Sequence, residues 1–590
     1  MQTLKTFVFL CLLFVKTQIT CAQQSPIEKS YRDCENFPLG VVQTPVCTES
    51  PYIIYVLTQN DLNSMSSNIR KTIKKGEKNI EVRIVQGVFY YDRLPVYLYN
   101  IDAKDVSISV IGNNSILVAG GRDYQNGKTL SLLDNNNVFL DEKMDLIDPY
   151  EEVEQSIGQV EVLNETTKEC RIAINNEYQF KTGMKIQISE WFHSPVYEVT
   201  KVSDGFVYFI AHDLIYDEAK KCYNVHYDNV VGEMNPRYRV YNPHVVSNYN
   251  KCIHECEVSL FLTLYKSKLK SFSMSGIEFR GCAKGKNALC YFRDVDAEEI
   301  HISDCHFMYM NQRIVKVNNT ANFVFDNNIV SNCYYGAVYS YMDSPNTIVK
   351  NNHFFRLGRG WTNCSAVTCL GMDFLVNNNS FEDIGYSSIS SGYKRGDKMV
   401  SRGVIENNEI WFGDDYYNHC EKYTLIDGGA IYISTLNDQV IIRYNYVHDY
   451  RGVGSNRAIY CDDGAMNVKI YGNVISGVTN ANSVLSWRAK SINKKFPQSN
   501  DGIDFYYNVI WGRYKLDERL NSSCVHGKNL ILCGEGEQAP ESILKNFAYR
   551  EQDVVFSGAA MVNGKITMPK AAMDELKRFP TYPKMKQWFE

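Results

Sequence analysis

An asparagine that separates two short strand-like runs recurs along the second half of the chain. Counting two degenerate copies at its start, the anchor positions of this repeat are Ile277, Cys305, Asn328, Asn352, Asn379, Asn408, Asn445, Asn473 and Asn508. They are 23 to 37 residues apart, and most spacings fall between 23 and 29. This period is too short for a propeller blade or a helical-pair repeat, and it matches one turn of a parallel β-helix.

Asparagine suits the corner between two strands of such a coil for two physical reasons. It tolerates the left-handed backbone of a sharp bend. Its amide can also bond to the equivalent amide of the next coil, so that a ladder forms along the stack. We therefore predict an all-β chain whose coils stack with their asparagines aligned.

A second column of apolar residues follows each asparagine corner at a nearly constant distance. The members that we expect to point into the coil are Val338, Val367, Ile389, Ile431, Ile459 and Val484. Because side chains alternate along a strand, the residues one and three positions later should form the outer face. On the last three coils these outward pairs are Tyr432 with Ser434, Tyr460 with Asp462, and Leu485 with Trp487.

The regions around the repeat suggest a chain of five parts. These are a signal peptide at 1–22, an N-terminal cap and first coils at 23–121, an inserted β-rich domain at 122–257, the parallel β-helix core at 258–524, and a C-terminal region at 525–590. Residues 66–75 have a helical pattern, and such a helix would cap the open end of the stack. The run 80–90 has the pattern of the first coil.

The first 22 residues have the features of a secretory signal peptide, with a charge at Lys5 and an apolar core at 7–15. We therefore expect a secreted, periplasmic or cell-surface protein. No later run approaches about 18 apolar residues, so we expect no membrane span. Because Cys11 and Cys21 lie within the signal peptide, 16 of the 18 cysteines would remain. That number favours several disulfides in an exported chain.

Composition narrows the range of partners. The chain is 44% apolar and 22% charged, which is a globular balance. Its net charge is −5 and it has no long basic run, so nucleic acid is a poor candidate partner. The 41 tyrosines suit a polar ligand such as a sugar, because tyrosine packs with its ring and hydrogen-bonds with its hydroxyl. No C-x-x-C pair has a partner pair at zinc spacing, and we expect neither a metal nor a cofactor.

Carboxylates, a histidine, cations and aromatic residues converge on three neighbouring coils between residues 427 and 490. The segments 427–432 (DGGAIY), 444–450 (YNYVHDY) and 458–464 (AIYCDDG) resemble the right-handed parallel β-helix carbohydrate-active enzymes. In particular, they resemble β-helix glycoside hydrolases of the xylosidase-like or fucosidase-like type. The resemblance covers roughly residues 258–510, together with the helical cap and the first coil, and implies a right-handed coil that hydrolyses a plant, algal or host glycan. The high cysteine count departs from this group.

The resemblance implies catalysis by two carboxylates, and the matching positions are Asp427 and the pair Asp462 and Asp463. One of two adjacent carboxyls would keep a proton and act as general acid. The candidate substrate-binding residues are Tyr432, His448, Asp449, Tyr460, Trp487 and Arg488. Each also has a structural explanation, because aspartates cap turns and aromatic rings stack along a solenoid. Asp427 and Asp462 fall on different parts of adjacent coils, which favours the wider separation of an inverting enzyme.

Two other functions remain open on the same fold. A polysaccharide lyase would take Lys490, Arg488 or His448 as base and would neutralise a uronate, often with calcium. A non-catalytic glycan-binding or surface β-helix would need none of the acids. A polygalacturonase-like site is disfavoured, because no Gly-His-Gly separates the aspartate pair from Arg488-Ala489-Lys490.

Overall fold

The structure is a computed structural model. It describes residues 25–38, 42, 50–91, 94–119, 150–155, 161–173, 182–183, 185–189, 196–211, 215–217, 222–224, 237–241, 261–282, 288–310, 313–333, 335–358, 365–392, 394–395, 398–399, 401–413, 428–450, 457–478, 483–487, 503–512, 525–534 and 549–590.

Three parallel sheets form the body of the protein, and each coil contributes one strand to each sheet. We name them sheet A, which precedes the asparagine corner, sheet B, which follows it, and sheet C, which completes the coil. Every strand of each sheet pairs in parallel with the equivalent strand of the next coil, for example Phe323 with Thr347 in sheet A, His353 with Ser380 in sheet B, and Val367 with Ile389 in sheet C. This arrangement is a parallel β-helix, and it confirms the predicted fold class.

The strands of sheet A are Tyr52–Val56, Asn79–Ile84, Glu299–Ser303, Phe323–Asp326, Thr347–Lys350, Phe374–Asn377, Arg402–Glu406, Ile503–Tyr506, Val525–Gly527 and Tyr549–Arg550. Those of sheet B are Gly87–Tyr91, His306–Met310, Ile329–Cys333, His353–Leu357, Ser380–Glu382, Glu409–Trp411, Tyr446–Val447, Val474–Val478, Val509–Gly512, Leu530–Cys533 and Val554–Ser557. Those of sheet C are Val96–Tyr99, Leu262–Tyr265, Ala288–Arg293, Arg313–Asn318, Val338–Ser340, Val367–Cys369, Ile389–Ser391 and Ser483–Trp487. Four long strands bend from one sheet into the next: Asp102–Ala119 and Lys268–Cys282 from A to B, and Gly429–Arg443 and Arg457–Tyr471 from C to A.

The asparagine corner divides its two tasks between consecutive residues. The left-handed residue is the one before each anchor, such as Asn351 with φ of 57° and Tyr444 with φ of 57°. The anchor itself is buried and forms the predicted ladder. In Asn445, Oδ1 accepts hydrogen bonds from the backbone and side-chain nitrogens of Asn408, while Nδ2 donates to Oδ1 of Asn473. The ladder therefore fixes the position of each coil along the stack.

The ladder and the coils continue past the predicted end of the core at residue 524. Asn508 donates to Asn529, and Asn529 donates to Asp553 Oδ1 at 3.0 Å. The strands that follow these corners pair in parallel through Val554–Ser557. The corner after Lys528 keeps the same geometry, with a positive φ of 54° at that lysine. The stack thus ends beyond the point where the sequence rhythm fades.

Apolar side chains fill the interior of the coil. Phenylalanine rings from successive coils stack on one another, with centroid distances of 5.1 Å for Phe279 and Phe307 and 4.8 Å for Phe354 and Phe381. Offset stacking of this kind adds to the hydrophobic gain of burial. The predicted inward residues Val338, Val367, Ile389, Ile431 and Ile459 are all fully buried.

The last coil of sheet C is aligned one residue away from our prediction. Ile459 pairs with Leu485, and Cys461 pairs with Trp487. The sequence pattern predicts that Val484 pairs with Ile459 and that Trp487 lies at the strand position equivalent to Asp462. The segment between the asparagine corner and the sheet C strand differs in length from coil to coil, and this difference shifts the count. Trp487 therefore occupies the strand position of buried Cys461, and its side chain lies outside the described part of the chain.

Helices cover one end and one outer face of the stack. They are α1 (Pro26–Glu35), α2 (Gln59–Asn63), α3 (Met65–Lys74), α4 (Lys570–Leu576) and α5 (Tyr582–Met585), followed by a 3₁₀ turn at Lys586–Trp588. Met65 and Ile69 of α3 pack into the main core, so α3 forms the predicted helical cap. Helix α1 packs elsewhere. Its Ile27 and Cys34 join Val404 of sheet A and Leu576 of α4 in a second apolar cluster.

The predicted inserted β domain is present between two adjacent coils. Strands Asp102–Ala119 and Lys268–Cys282 pair directly in the stack, although the chain between them is long. Within that stretch a separate sheet of seven antiparallel strands is formed by Tyr150–Gln155, Glu161–Asn164, Glu169–Ala173, Lys185–Ser189, Val196–Ser203, Phe206–Ile210 and Arg237–Tyr241. Three two-stranded hairpins complete the described elements: Ile215–Asp217 with Cys222–Asn224, Lys394–Arg395 with Lys398–Met399, and Ala560–Val562 with Lys565–Thr567.

Eight described cysteines are buried, and no disulfide joins any two of them, which corrects the disulfide prediction for these positions. They are Cys34, Cys170, Cys290, Cys305, Cys333, Cys369, Cys461 and Cys533. Most of them point into the coil, where each behaves as a small apolar side chain. Burial raises the pKa of Cys305, Cys333 and Cys369 to about 12, so these thiols stay protonated and inert.

Candidate functional site

Asp462 lies on the outer face of sheet C, as the alternation predicted. Its strand, Arg457–Tyr471, pairs with Gly429–Arg443 so that Asp462 faces Ser434 and Tyr460 faces Tyr432. The hydroxyl of Tyr432 donates a hydrogen bond of 3.0 Å to Oδ2 of Asp462. The bond joins two adjacent coils and holds the carboxyl group in one orientation.

The second oxygen of this carboxyl group is unsatisfied. Asp462 is only 5% exposed, and its Oδ1 has no hydrogen-bond partner among the described residues. The hydroxyl of Tyr450, also buried, lacks a partner within the same part of the chain. Buried polar atoms are nearly always hydrogen-bonded, so such exceptions call for an explanation, such as a catalytic role or a bound molecule.

An aromatic and cationic surround completes the Asp462 site. Tyr432 meets Tyr460 edge-on at a centroid distance of 5.3 Å, and the guanidinium of Arg457 lies 4.0 Å from the centre of the Tyr460 ring. Tyr386 packs against Tyr432 from the preceding coil. Tyr460 is fully buried, so it offers no ring face to a sugar in this structure. Its contact positions Tyr432 instead, whose own ring is half-buried.

The close packing of coils at this site depends on glycine. Gly392, with φ of 106°, lies against Ser434, and a Cβ built on it would come within 1.9 Å of the Ser434 carbonyl oxygen. Only glycine combines this backbone conformation with so close an approach. The glycine therefore allows the coil that carries Tyr432 and Ser434 to pack directly on the preceding one.

The remaining predicted catalytic residues are not tested by the structure. Asp427 and Arg488 lie outside the described residues, as does Lys490. Asp463 belongs to the same strand as Asp462, but its side chain is not described. Among the predicted catalytic acids, Asp462 is thus the one whose surroundings are defined, and the assignments of Asp427 and Asp463 stay predictions.

His448 and Asp449 lie at the end of a sheet B strand, away from the outer face of sheet C. His448 Nδ1 is 3.0 Å from Asp449 Oδ2, and Nε2 is 3.1 Å from Glu409 Oε1. Two carboxylates can accept both ring protons only from the imidazolium. Burial opposes the charge of His448, but the hydrogen bonds that its ring donates to Asp449 and Glu409 outweigh burial and raise the pKa of His448.

Aromatic rings stack on the His448 imidazole and continue to the C terminus. The ring of Trp411 is parallel to that of His448 at 5.7 Å, and the ring of Tyr446 lies 4.3 Å away. Tyr446 in turn contacts Trp588 at 4.4 Å. We call this set, with Glu409 and Asp449, the His448 cluster. It was only partly predicted, because Glu409 and Trp588 are far from His448 in sequence.

The structure therefore divides the predicted site into two groups. Tyr432, Tyr460 and Asp462 meet on sheet C, whereas His448 and Asp449 belong to sheet B. The described residues contain no group of three or more histidine, cysteine, aspartate or glutamate side chains placed to hold a metal ion. Within the same residues, no helix is long and apolar enough to cross a membrane.

Comparison with known proteins finds several solved structures that align with this chain. No protein-family model matches the chain, and no curated protein matches it. XylC in its complex with xylose aligns with a TM-score of 0.39 and 10% identity, covering 82% of this chain and 82% of that chain. The A-module of the mannuronan C-5 epimerase AlgE4 of Azotobacter vinelandii aligns with a TM-score of 0.38 and 9% identity, covering 84% of this chain and 91% of that chain. An exopolygalacturonase from Thermotoga maritima aligns with a TM-score of 0.31 and 10% identity, covering 53% of this chain and 88% of that chain.

Proposed function

We propose that the protein is a secreted glycoside hydrolase whose reaction centre lies on the outer face of sheet C, at Asp462. The observation that carries this proposal is the hydrogen bond from Tyr432 to Asp462 Oδ2, beside a buried Oδ1 that has no partner among the described residues. A carboxyl group that is oriented through one oxygen and has no hydrogen bond at the other can exchange a proton with a ligand that reaches it.

In this proposal Asp462 acts with a second carboxylate from Asp427 or Asp463. Hydrolysis of a glycosidic bond needs one acid to protonate the leaving oxygen and a second carboxylate to act as base or nucleophile. Adjacent coils lie about 4.8 Å apart, so carboxylates on neighbouring coils span the separations that retaining and inverting enzymes use. We propose the inverting arrangement for Asp427 with Asp462.

Tyr432 has two roles in the proposed site. Its hydroxyl orients Asp462, and its half-buried ring lies beside the carboxyl group, where a sugar ring would stack. Tyr386 and Tyr460 fix the Tyr432 ring from the two neighbouring coils. Arg457 lies over Tyr460 and holds a positive charge in the same region.

The proposal is tested by incubating the full-length mature protein with xylan, fucoidan, polygalacturonate, alginate and laminarin. Reducing ends and absorbance near 235 nm are followed together. A hydrolase releases reducing ends without a rise at 235 nm. A rise at 235 nm on a uronate substrate would replace the proposal with a lyase. The absence of both signals on every glycan would leave a non-catalytic protein and overturn it.

A further inference from the structure

A polar groove follows the outer asparagines of the corner between sheets A and B, on a different part of the coil from Asp462. Its volume is about 860 Å³, which lies within the range of ligand pockets. Asparagines of four successive coils line one wall, so the groove extends over roughly 14 Å at the spacing of β-strands. The C-terminal 3₁₀ turn at Lys586–Trp588 forms part of the opposite wall.

The asparagine wall is held rigid by its own hydrogen bonds. Nδ2 of Asn351 donates to Asp326 Oδ1 at 2.8 Å, and Nδ2 of Asn378 donates to Asn351 Oδ1 at 2.7 Å. Both asparagines are exposed and have a left-handed backbone. An asparagine amide has two donors and an acceptor oxygen with two lone pairs, so each keeps further capacity for a ligand. Groups fixed before binding lose little entropy when a ligand arrives.

The floor of the groove offers hydrogen-bonding groups of both kinds. His353 Nδ1 is 2.7 Å from Ser380 Oγ, and burial lowers the pKa of His353, so the imidazole is neutral near pH 7. A neutral imidazole presents one donor and one acceptor. Glu409 also lines the groove. One of its oxygens accepts from His448, and its side chain stays 38% exposed.

Trp588 supplies an aromatic surface and an unsatisfied donor. Its ring rests on Tyr446, and through the His448 cluster it is fixed to sheet B. The indole Nε1 is buried without a hydrogen-bond partner among the described residues. Buried indole N–H groups usually find a partner, so an unsatisfied one in a residue that lines the groove is consistent with an acceptor supplied by a ligand.

The lining identifies the chemistry of the ligand. The described lining residues carry one carboxylate, Glu409, and one ammonium group, Lys584, with a neutral histidine between several amides and a hydroxyl. Such a surface has no net charge to select an anion or a cation. It matches hydroxyl groups, which both donate and accept, and its regular asparagine spacing matches an extended ligand. We propose that this groove is a second binding site, which takes a neutral oligosaccharide chain.

The test measures binding apart from turnover, by calorimetry in the full-length Asp462→Asn background. The probes are xylohexaose, cellohexaose, laminarihexaose and mannohexaose, with hexagalacturonate and a heparin hexasaccharide as anionic arms. We expect at least one neutral probe to bind. Trp588→Phe keeps an aromatic ring on Tyr446 but removes the indole N–H, and we expect binding about five- to tenfold weaker. Ser380→Tyr fills the floor and should abolish binding.

Trp511→Phe provides the matched control, because Trp511 lies on sheet B outside the groove, and it should leave the affinity unchanged. Binding of the anionic probes alone would overturn the inference. So would an absence of binding, or an affinity that neither Trp588→Phe nor Ser380→Tyr changes. Because the assay needs no cleavage, it tests binding in the groove whether or not the protein hydrolyses a glycan at Asp462.

Discussion

Glu35 and Arg443 form an ion pair of 2.9 Å between residues that lie 408 positions apart in the chain. The same carboxylate oxygen of Glu35 accepts hydrogen bonds from the hydroxyls of Tyr444 and Tyr471. Arg443 is buried and also donates to Glu406. Helix α1 is thereby attached to the outer face of sheet A, far from the coils that follow it in sequence.

We expect Glu35→Gln to destabilise the protein by about 1–3 kcal/mol, because Arg443 and two tyrosine hydroxyls lose a charged partner. The midpoint of urea denaturation, followed by tyrosine and tryptophan fluorescence, measures the change. Asp33→Asn on the exposed side of the same helix is the control and should have no effect. Equal midpoints for Glu35→Gln and the wild type would show that α1 contributes nothing to the stack.

The ladder predicts a large difference in stability loss between a substitution at a buried anchor asparagine and one at the exposed residue that precedes an anchor. Asn445→Ala should cost about 2–4 kcal/mol, since Asn445 is fully buried and its loss leaves the carbonyls of Ile405 and Arg443 without their donor. Asn378→Gly is the contrasting variant. It keeps the left-handed backbone at an exposed corner and should cost less than about 1 kcal/mol. Denaturation midpoints compare the two, and similar losses would contradict the division of tasks at the corner.

The His448 cluster predicts a dependence of stability on pH. Because the folded pKa of His448 is raised, the cluster stabilises the fold fully below about pH 6.5, the ordinary histidine value. That contribution is lost as the pH rises through the raised value. The free energy of unfolding of wild type minus that of His448→Gln should therefore fall between pH 6 and pH 9. A difference that is constant over this range would mean that folding does not raise the pKa of His448.

The buried cysteines predict a pattern of chemical labelling. Cys290, Cys305, Cys333 and Cys369 should resist iodoacetamide in the native protein at pH 8, because they are buried and their thiols stay protonated. All four should react after denaturation without a reductant, since none is in a disulfide. Peptide mass spectrometry reads the labelled positions. Labelling that appears only after reduction would show that these cysteines are oxidised in the purified protein.

The sequence predicted the coils because their main signal is local and repeated. Each asparagine anchor marks one corner, and a strict ladder such as that from Asn328 to Asn508 leaves little freedom in the stacking of sheets A and B. The strand that begins at Ser483 was predicted one residue away from its place, because its alignment depends on the length of the loop before it rather than on a corner. The spacing of the asparagine corners does not determine the length of that loop.

The contacts of the candidate site were harder to predict. The outward position of Asp462 follows from strand alternation, but its burial and its bond to Tyr432 depend on how neighbouring coils close around it. Glu409 was missed as a partner of His448, since the two belong to different coils 39 residues apart. Helix α1 gave no signal of its partner, because nothing near Glu35 in sequence indicates Arg443.

The most direct test of the account is the rate at which Asp462→Asn cleaves the best glycan substrate of the wild-type protein. Asparagine matches the shape of aspartate and keeps an acceptor for Tyr432, so folding should be preserved, and a thermal melt checks this. We expect kcat to fall at least about 100-fold, as for loss of a general acid or base, while Asp438→Asn on the exposed edge of sheet A keeps full activity. A folded Asp462→Asn protein with the wild-type kcat would contradict the account.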